Sequence, residues 1–157
     1  MKRRTALPLG IVMLGLGSAY LAAFGPQVLT GPFTGALLAG FVLAAILMIV
    51  GGLVGSVPVG DRTIPWNAFV GIGDVLLAAV VTLSAIRSAI VVGDTVSWVF
   101  AAAMLVGGSS IAWFGVQTVR DSRHVDLEAT PSSRRVVAIA ALVAVSVAVG
   151  ALVATGP

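Results

Sequence analysis

Charged side chains divide this chain into long apolar blocks. None stands between Arg4 and Asp61, none between Asp94 and Arg120, and none after Arg135. A helix rising 1.5 Å per residue needs about 20 predominantly apolar residues to cross ~30 Å of hydrocarbon. The blocks therefore predict an all-α integral membrane protein, a bundle of five transmembrane helices at about 7–29, 33–57, 75–92, 96–119 and 136–154. Gly25-Pro26 and Gly31-Pro32 punctuate the first turnaround, because proline cannot extend a helix and disfavours helix in the residue before it. A loop with Pro58, Asp61, Arg62, Pro65 and Trp66 separates the second and third spans, and the third starts somewhere between Asn67 and Val75. In the turn Gly93-Asp94-Thr95, either Asp94 or Thr95 is suited to cap the fourth span.

Composition agrees with that pattern. Of 157 residues, 59% are hydrophobic and 10% charged, too apolar for a water-soluble domain without large exposed patches. The bundle is then a single transmembrane domain over residues 1–157, with no soluble domain beside it. The absence of cysteine excludes disulfides, thiolate metal sites and cysteine nucleophiles. A net charge of only +3 is weak ground for nucleic-acid binding, and no nucleic acid is expected as a partner. Eight arginines against one lysine, with abundant alanine, valine and glycine, point to a GC-rich prokaryotic genome.

Basic residues set an orientation. Threaded through five spans, Lys2, Arg3, Arg4, Arg62, Arg120, Arg123, Arg134 and Arg135 fall on one side, which the positive-inside bias makes cytoplasmic. The N-terminus is then inside and the C-terminus outside the cytoplasmic membrane. Trp66 and Trp113 fall near the inner interface, Tyr20 and Trp98 near the outer one. Lys2-Arg3-Arg4 before an apolar run ending in Ala22-Ala23 also reads as a secretory signal, but the run exceeds a usual signal core and retention is expected. Arg3, Arg4, Arg120, Arg123, Arg134 and Arg135 are placed to meet anionic lipid headgroups.

Small residues recur at helical spacing: Gly51/Gly55 in the second span, Ala103/Gly107 and Gly108/Ala112 in the fourth, and Ala140, Ala144 and Ala148 in the fifth. Within lipid, close backbone approach replaces the hydrophobic drive between helices, so these rows mark helix contacts. Packing inside one protomer is the favoured use. Five helices with few large side chains also make a homo-oligomer, or other membrane subunits, expected partners alongside the lipid bilayer.

Candidate chemistry rests on few residues. Gly71-Ile72-Gly73-Asp74 resembles the Gly-x-Gly-Asp signature of intramembrane aspartyl proteases. The stretch Asp61-Arg62-Thr63-Ile64-Pro65-Trp66-Asn67 resembles the first aspartate motif of prepilin and preflagellin peptidases. The resemblance covers about a tenth of the chain and implies a pair of catalytic aspartates. In that family the two lie on different helices, separated by far more sequence than the 13 residues between Asp61 and Asp74, and a dyad requires two carboxyl groups sharing a proton. If the third span starts at Val75, Asp74 is its N-cap, accepting first-turn amides at the positive end of the dipole. A packing or relay role for Asp74 is the second reading and a peptidase the remote one.

Arg87 is the basic residue inside a span, and such residues usually face protein or water. It stands about one and a half turns before the end of its helix, within snorkelling reach of the interface, with Asp94 as the expected counter-ion and Ser84 as its polar neighbour. An anion or substrate contact, or an inter-subunit ion pair, is the alternative. His124 has Asp121, Asp126 and Glu128 nearby but lacks metal-ligand spacing, so no metal is expected there. Neither a phosphate-binding glycine loop nor a Ser-His-Asp set is present, and no cofactor and no catalytic residue is expected. Two classes remain. A non-enzymatic structural or accessory subunit of a membrane assembly is favoured over a small-solute or ion transporter or channel acting as an oligomer. Transport would use polar groups at the midplane, for which Ser84, Arg87, Ser109, Ser110 and Thr82 are candidates.

Overall fold

Four long helices and one short hairpin make up residues 3–120, the part of the chain that the computed structural model describes. Helix α1 (Arg3–Phe24) is followed by a 3-10 turn at Pro26–Leu29 and by α2 (Pro32–Leu53). Strands β1 (Ser56–Val59) and β2 (Arg62–Pro65) come next, then α3 (Trp66–Val92) and α4 (Thr95–Val119). All four helices are long and apolar enough to cross a membrane. The predicted fifth span at 136–154, its alanine stripe, and Arg123, His124, Arg134 and Arg135 lie outside the described residues.

Helix α1 starts at Arg3, four residues before the predicted 7, and three further predicted boundaries move. The first helix stops at Phe24, because Gly25 turns left-handed (φ 76°) and Pro26 starts a separate 3-10 turn. The second stops at Leu53 rather than 57. Val54 is already extended, and the β-branched residues beyond it enter the hairpin, which was not foreseen in an all-α reading. Val59 pairs with Arg62 across a two-residue loop, and Gly60 at φ 59° supplies the positive dihedral that such tight hairpin loops need. Gly55 therefore lies outside any helix, and only Gly51 of the expected Gly51/Gly55 pair packs in one.

The third correction changes the reading of Asp74. Helix α3 begins at Trp66, with extended Pro65 at its N-cap, so Asp74 is more than two turns inside the helix and caps nothing. Gly71 and Gly73 explain the difference. They look like helix breakers in the sequence, yet both are buried where a neighbouring backbone comes close. The Asp94 cap does form: its Oδ1 accepts the Ser97 amide at 2.7 Å and opens α4.

The helices pack as antiparallel neighbours in chain order. Between α1 and α2, a methyl on Gly10 would stand 2.7 Å from the Ala45 carbonyl oxygen, and one on Gly52 would stand 2.7 Å from the Leu7 amide nitrogen. Met13, Ala44, Ala45 and Met48 form the buried cluster there, flanked by Phe41, Leu76 and Leu77. Between α2 and α3, Gly51 meets Val70 and Gly40 meets Val80. On α3 and α4, Gly71 meets Gly115 and Gly108 meets Ala78, while Ala85, Ala89 and Ala101 close the far end. One end of this array thus carries the start of α1, the hairpin with Arg62, and Arg120 at the end of α4. The other carries Arg87 and Asp94.

Candidate functional site

Polar side chains gather at two places. The first is the α3–α4 seam, where residues 67, 71, 74, 78 and 82 of α3 recur at three- and four-residue spacing and share one face. Asn67 is buried and its Nδ2 donates to the Thr118 carbonyl oxygen at 3.0 Å. Thr118 is fully buried and satisfies its own hydroxyl by donating to the Phe114 carbonyl at 3.0 Å. Further along, the Thr82 hydroxyl donates to the Met104 carbonyl at 3.4 Å. Asp74 lies between these bonds, 5% exposed, with Oδ2 buried and without a hydrogen-bond partner among the described residues. Its Cβ is pressed against Gly115, where a methyl would stand 2.9 Å away.

An unsatisfied buried carboxyl oxygen is costly and calls for an explanation. A peptidase dyad would place a second carboxyl group on that oxygen, and among the described residues none is there. Asp61, the other half of the motif resemblance, sits exposed in the hairpin loop. Asn67 stands in the sequence only as the end of the motif-like stretch and a limit of the α3 start, and Thr118 carries no signal of its own. The recurring small and polar residues from Asn67 to Thr82 were the available signal, hidden by placing the helix start too late.

The second place is a groove of about 300 Å³ between α1, α2 and α3. Leu16, Leu37, Phe41 and Val80 form its apolar part, while Tyr20, Thr34 and Ser84 stand toward one end. Arg87 follows one turn beyond Ser84 and is exposed, its guanidinium carbon 4.6 Å from the centre of the Phe33 ring. The expected Arg87–Asp94 ion pair is not formed. Arg87 turns toward α2, whereas the Asp94 carboxylate is held by Ser97, and that hydrogen bond keeps its pKa below the ordinary 3.8. Phe33 was the missed partner, and it continues the same antiparallel line as Gly51·Val70 and Gly40·Val80.

Ser109 and Ser110 belong to neither place. Both are exposed on the side of α4 away from the α3 seam, beside Leu105, Val106 and Trp113, and Ser110 donates to the Val106 carbonyl at 3.0 Å. Of the two small-residue rows on α4, Gly108 is used against α3, whereas Ala103 and Gly107 are exposed, with no described residue within 4 Å of a methyl placed on Gly107. Arg120 follows α4 and is exposed. No group of three or more His, Cys, Asp or Glu able to hold a metal ion occurs among the described residues.

Fold and site together define a helical protein with apolar, membrane-length helices joined by close glycine contacts. A family of unknown function, DUF7994, matches residues 1–131, and the chain belongs to that family. No curated protein and no solved structure matches it.

Proposed function

We infer that this chain is a non-enzymatic, five-span protein of the cytoplasmic membrane, acting as a structural or accessory subunit of a membrane assembly. The observation that carries the reading is the placement of polar candidates on α4. Ser109 and Ser110 lie outside the helix array, beside the exposed row Ala103/Gly107, instead of lining a path through it. Small residues on a membrane-helix face that no described helix covers suit close approach by another helix. Arg62 and Arg120 at one end of the array support an orientation with that end, and the N-terminus, in the cytoplasm.

Gentle extraction followed by mass analysis of the purified particle tests the role. Co-purification of other membrane proteins in fixed ratio is the expected result, and a lone protomer or homo-oligomer refutes it. The alternative, a small transporter working as an oligomer, draws on buried Asp74 with its unpartnered Oδ2. It requires flux that Asp74→Asn or Arg87→Ala abolishes. The cysteine-free chain makes the topology directly testable. Single cysteines at Thr95 and Gly156 should react with an impermeant maleimide from outside, and one at Thr63 should not.

A further inference from the structure

We propose that the groove between α1, α2 and α3 is a binding site for one anionic phospholipid, with an acyl chain along Phe41, Leu37 and Val80 and the phosphate on Arg87. The groove is apolar along Leu16, Leu37, Phe41 and Val80, and polar at the end where Tyr20, Thr34 and Ser84 present hydroxyl groups. That is the polarity of a lipid, apolar tail first and polar glycerol ester region after. Arg87 comes next along α3, where the phosphate of such a lipid falls. Its guanidinium is exposed and has no carboxylate partner among the described residues.

The Phe33 ring fixes where the cation sits without using up its strongest interactions. A phenyl face attracts a guanidinium through its quadrupole but offers no ordinary hydrogen-bond acceptor. The N–H fork therefore stays free for phosphate oxygens, which it fits two at a time. A zwitterionic lipid carries a phosphate too, but its own ammonium offsets the charge. Selectivity for a net anionic headgroup follows. The inference rests on reading the chain as membrane-spanning.

Native mass spectrometry of the full chain in a mild detergent tests it, with phosphatidylglycerol and phosphatidylcholine of identical acyl chains and with inorganic phosphate as probes. Retention of phosphatidylglycerol over phosphatidylcholine is expected, and Arg87→Gln should weaken it about fivefold, the effect of one basic residue near a lipid surface. Ser84→Phe, which fills the groove, should displace the lipid while leaving Arg87 in place. Equal retention of both lipids, or no effect of Arg87→Gln, overturns the proposal. Lipid retained by Ser84→Phe overturns the groove, and displacement of lipid by inorganic phosphate alone overturns the lipid. Should Ser84→Phe fail to fold, the exposed Arg87→Gln decides the matter. Alkaline extraction of membranes separates the two levels of failure: a chain that stays in the membrane pellet without lipid preference keeps the membrane reading and refutes this one.

Discussion

Gly115→Ala tests the reasoning about the α3–α4 seam. A methyl at this position would stand 2.6 Å from the Gly71 carbonyl oxygen, 2.9 Å from Asp74 Cβ and 3.0 Å from Val75 Cγ2. The first of these neighbours is helical backbone, fixed by its own hydrogen bond, so no rotamer change relieves the clash. Ordinary contact begins at 3.4 Å, and α4 must therefore withdraw by about 0.8 Å from α3 at this point. One turn away, the Asn67–Thr118 hydrogen bond of 3.0 Å is stretched by the same movement. Overpacking of this kind costs about 1–3 kcal/mol, and an interhelical hydrogen bond in a membrane protein adds roughly 0.6 kcal/mol. A loss of about 2–3 kcal/mol is expected on these grounds. Gly107→Ala is the control on the same helix: no described atom lies within 4 Å of its methyl, and its stability should equal wild type or exceed it by up to about 1 kcal/mol through alanine's better helix propensity. Equilibrium unfolding of the full chain in mixed micelles, titrated with a denaturing detergent, measures both. If Gly115→Ala matches wild type, or Gly107→Ala falls as far, backbone contact at Gly71·Gly115 does not hold the pair together.

Asn67→Ala should lose roughly 0.6–1.5 kcal/mol in the same assay, and Asn67→Gln should recover part of it by keeping the donor. Gly60→Ala should destabilise the hairpin by about 1 kcal/mol while Gly60→Asn is milder, because asparagine accepts the left-handed dihedral at φ 59°; hydrogen exchange of the β1 and β2 amides reports this. The lowered pKa of Asp94 means that its ionised form is favoured in the folded state. Its contribution is present above the ordinary value of 3.8 and disappears as pH falls through the lowered one. Exchange at the Ser97 amide should accelerate, relative to the intrinsic rate, over that acid range, and Asp94→Asn should remove the pH dependence while keeping the cap.

What the sequence determined is the four apolar, membrane-length helices of the described residues and half of their ends. Charge-free runs of sufficient length leave a chain few ways to satisfy its backbone in lipid, and the Gly93-Asp94-Thr95 turn narrows the cap of α4 to Asp94 or Thr95, of which the structure uses Asp94. The start of α3 was not legible, because Gly71 and Gly73 are poor helix formers locally and become favourable only when α4 and α2 press against them. That one shift turned Asp74 from a surface cap into a buried carboxyl group on a helix seam. Arg87 shows the same limit from the other direction. Asp94 is its obvious counter-ion along the chain, yet the antiparallel register of α2 and α3 brings Phe33 to it instead. Periodicity states which face of a helix is apolar or small. Which neighbour that face meets, and at what register, is a property of the packed structure, because close approach depends on both backbones at once.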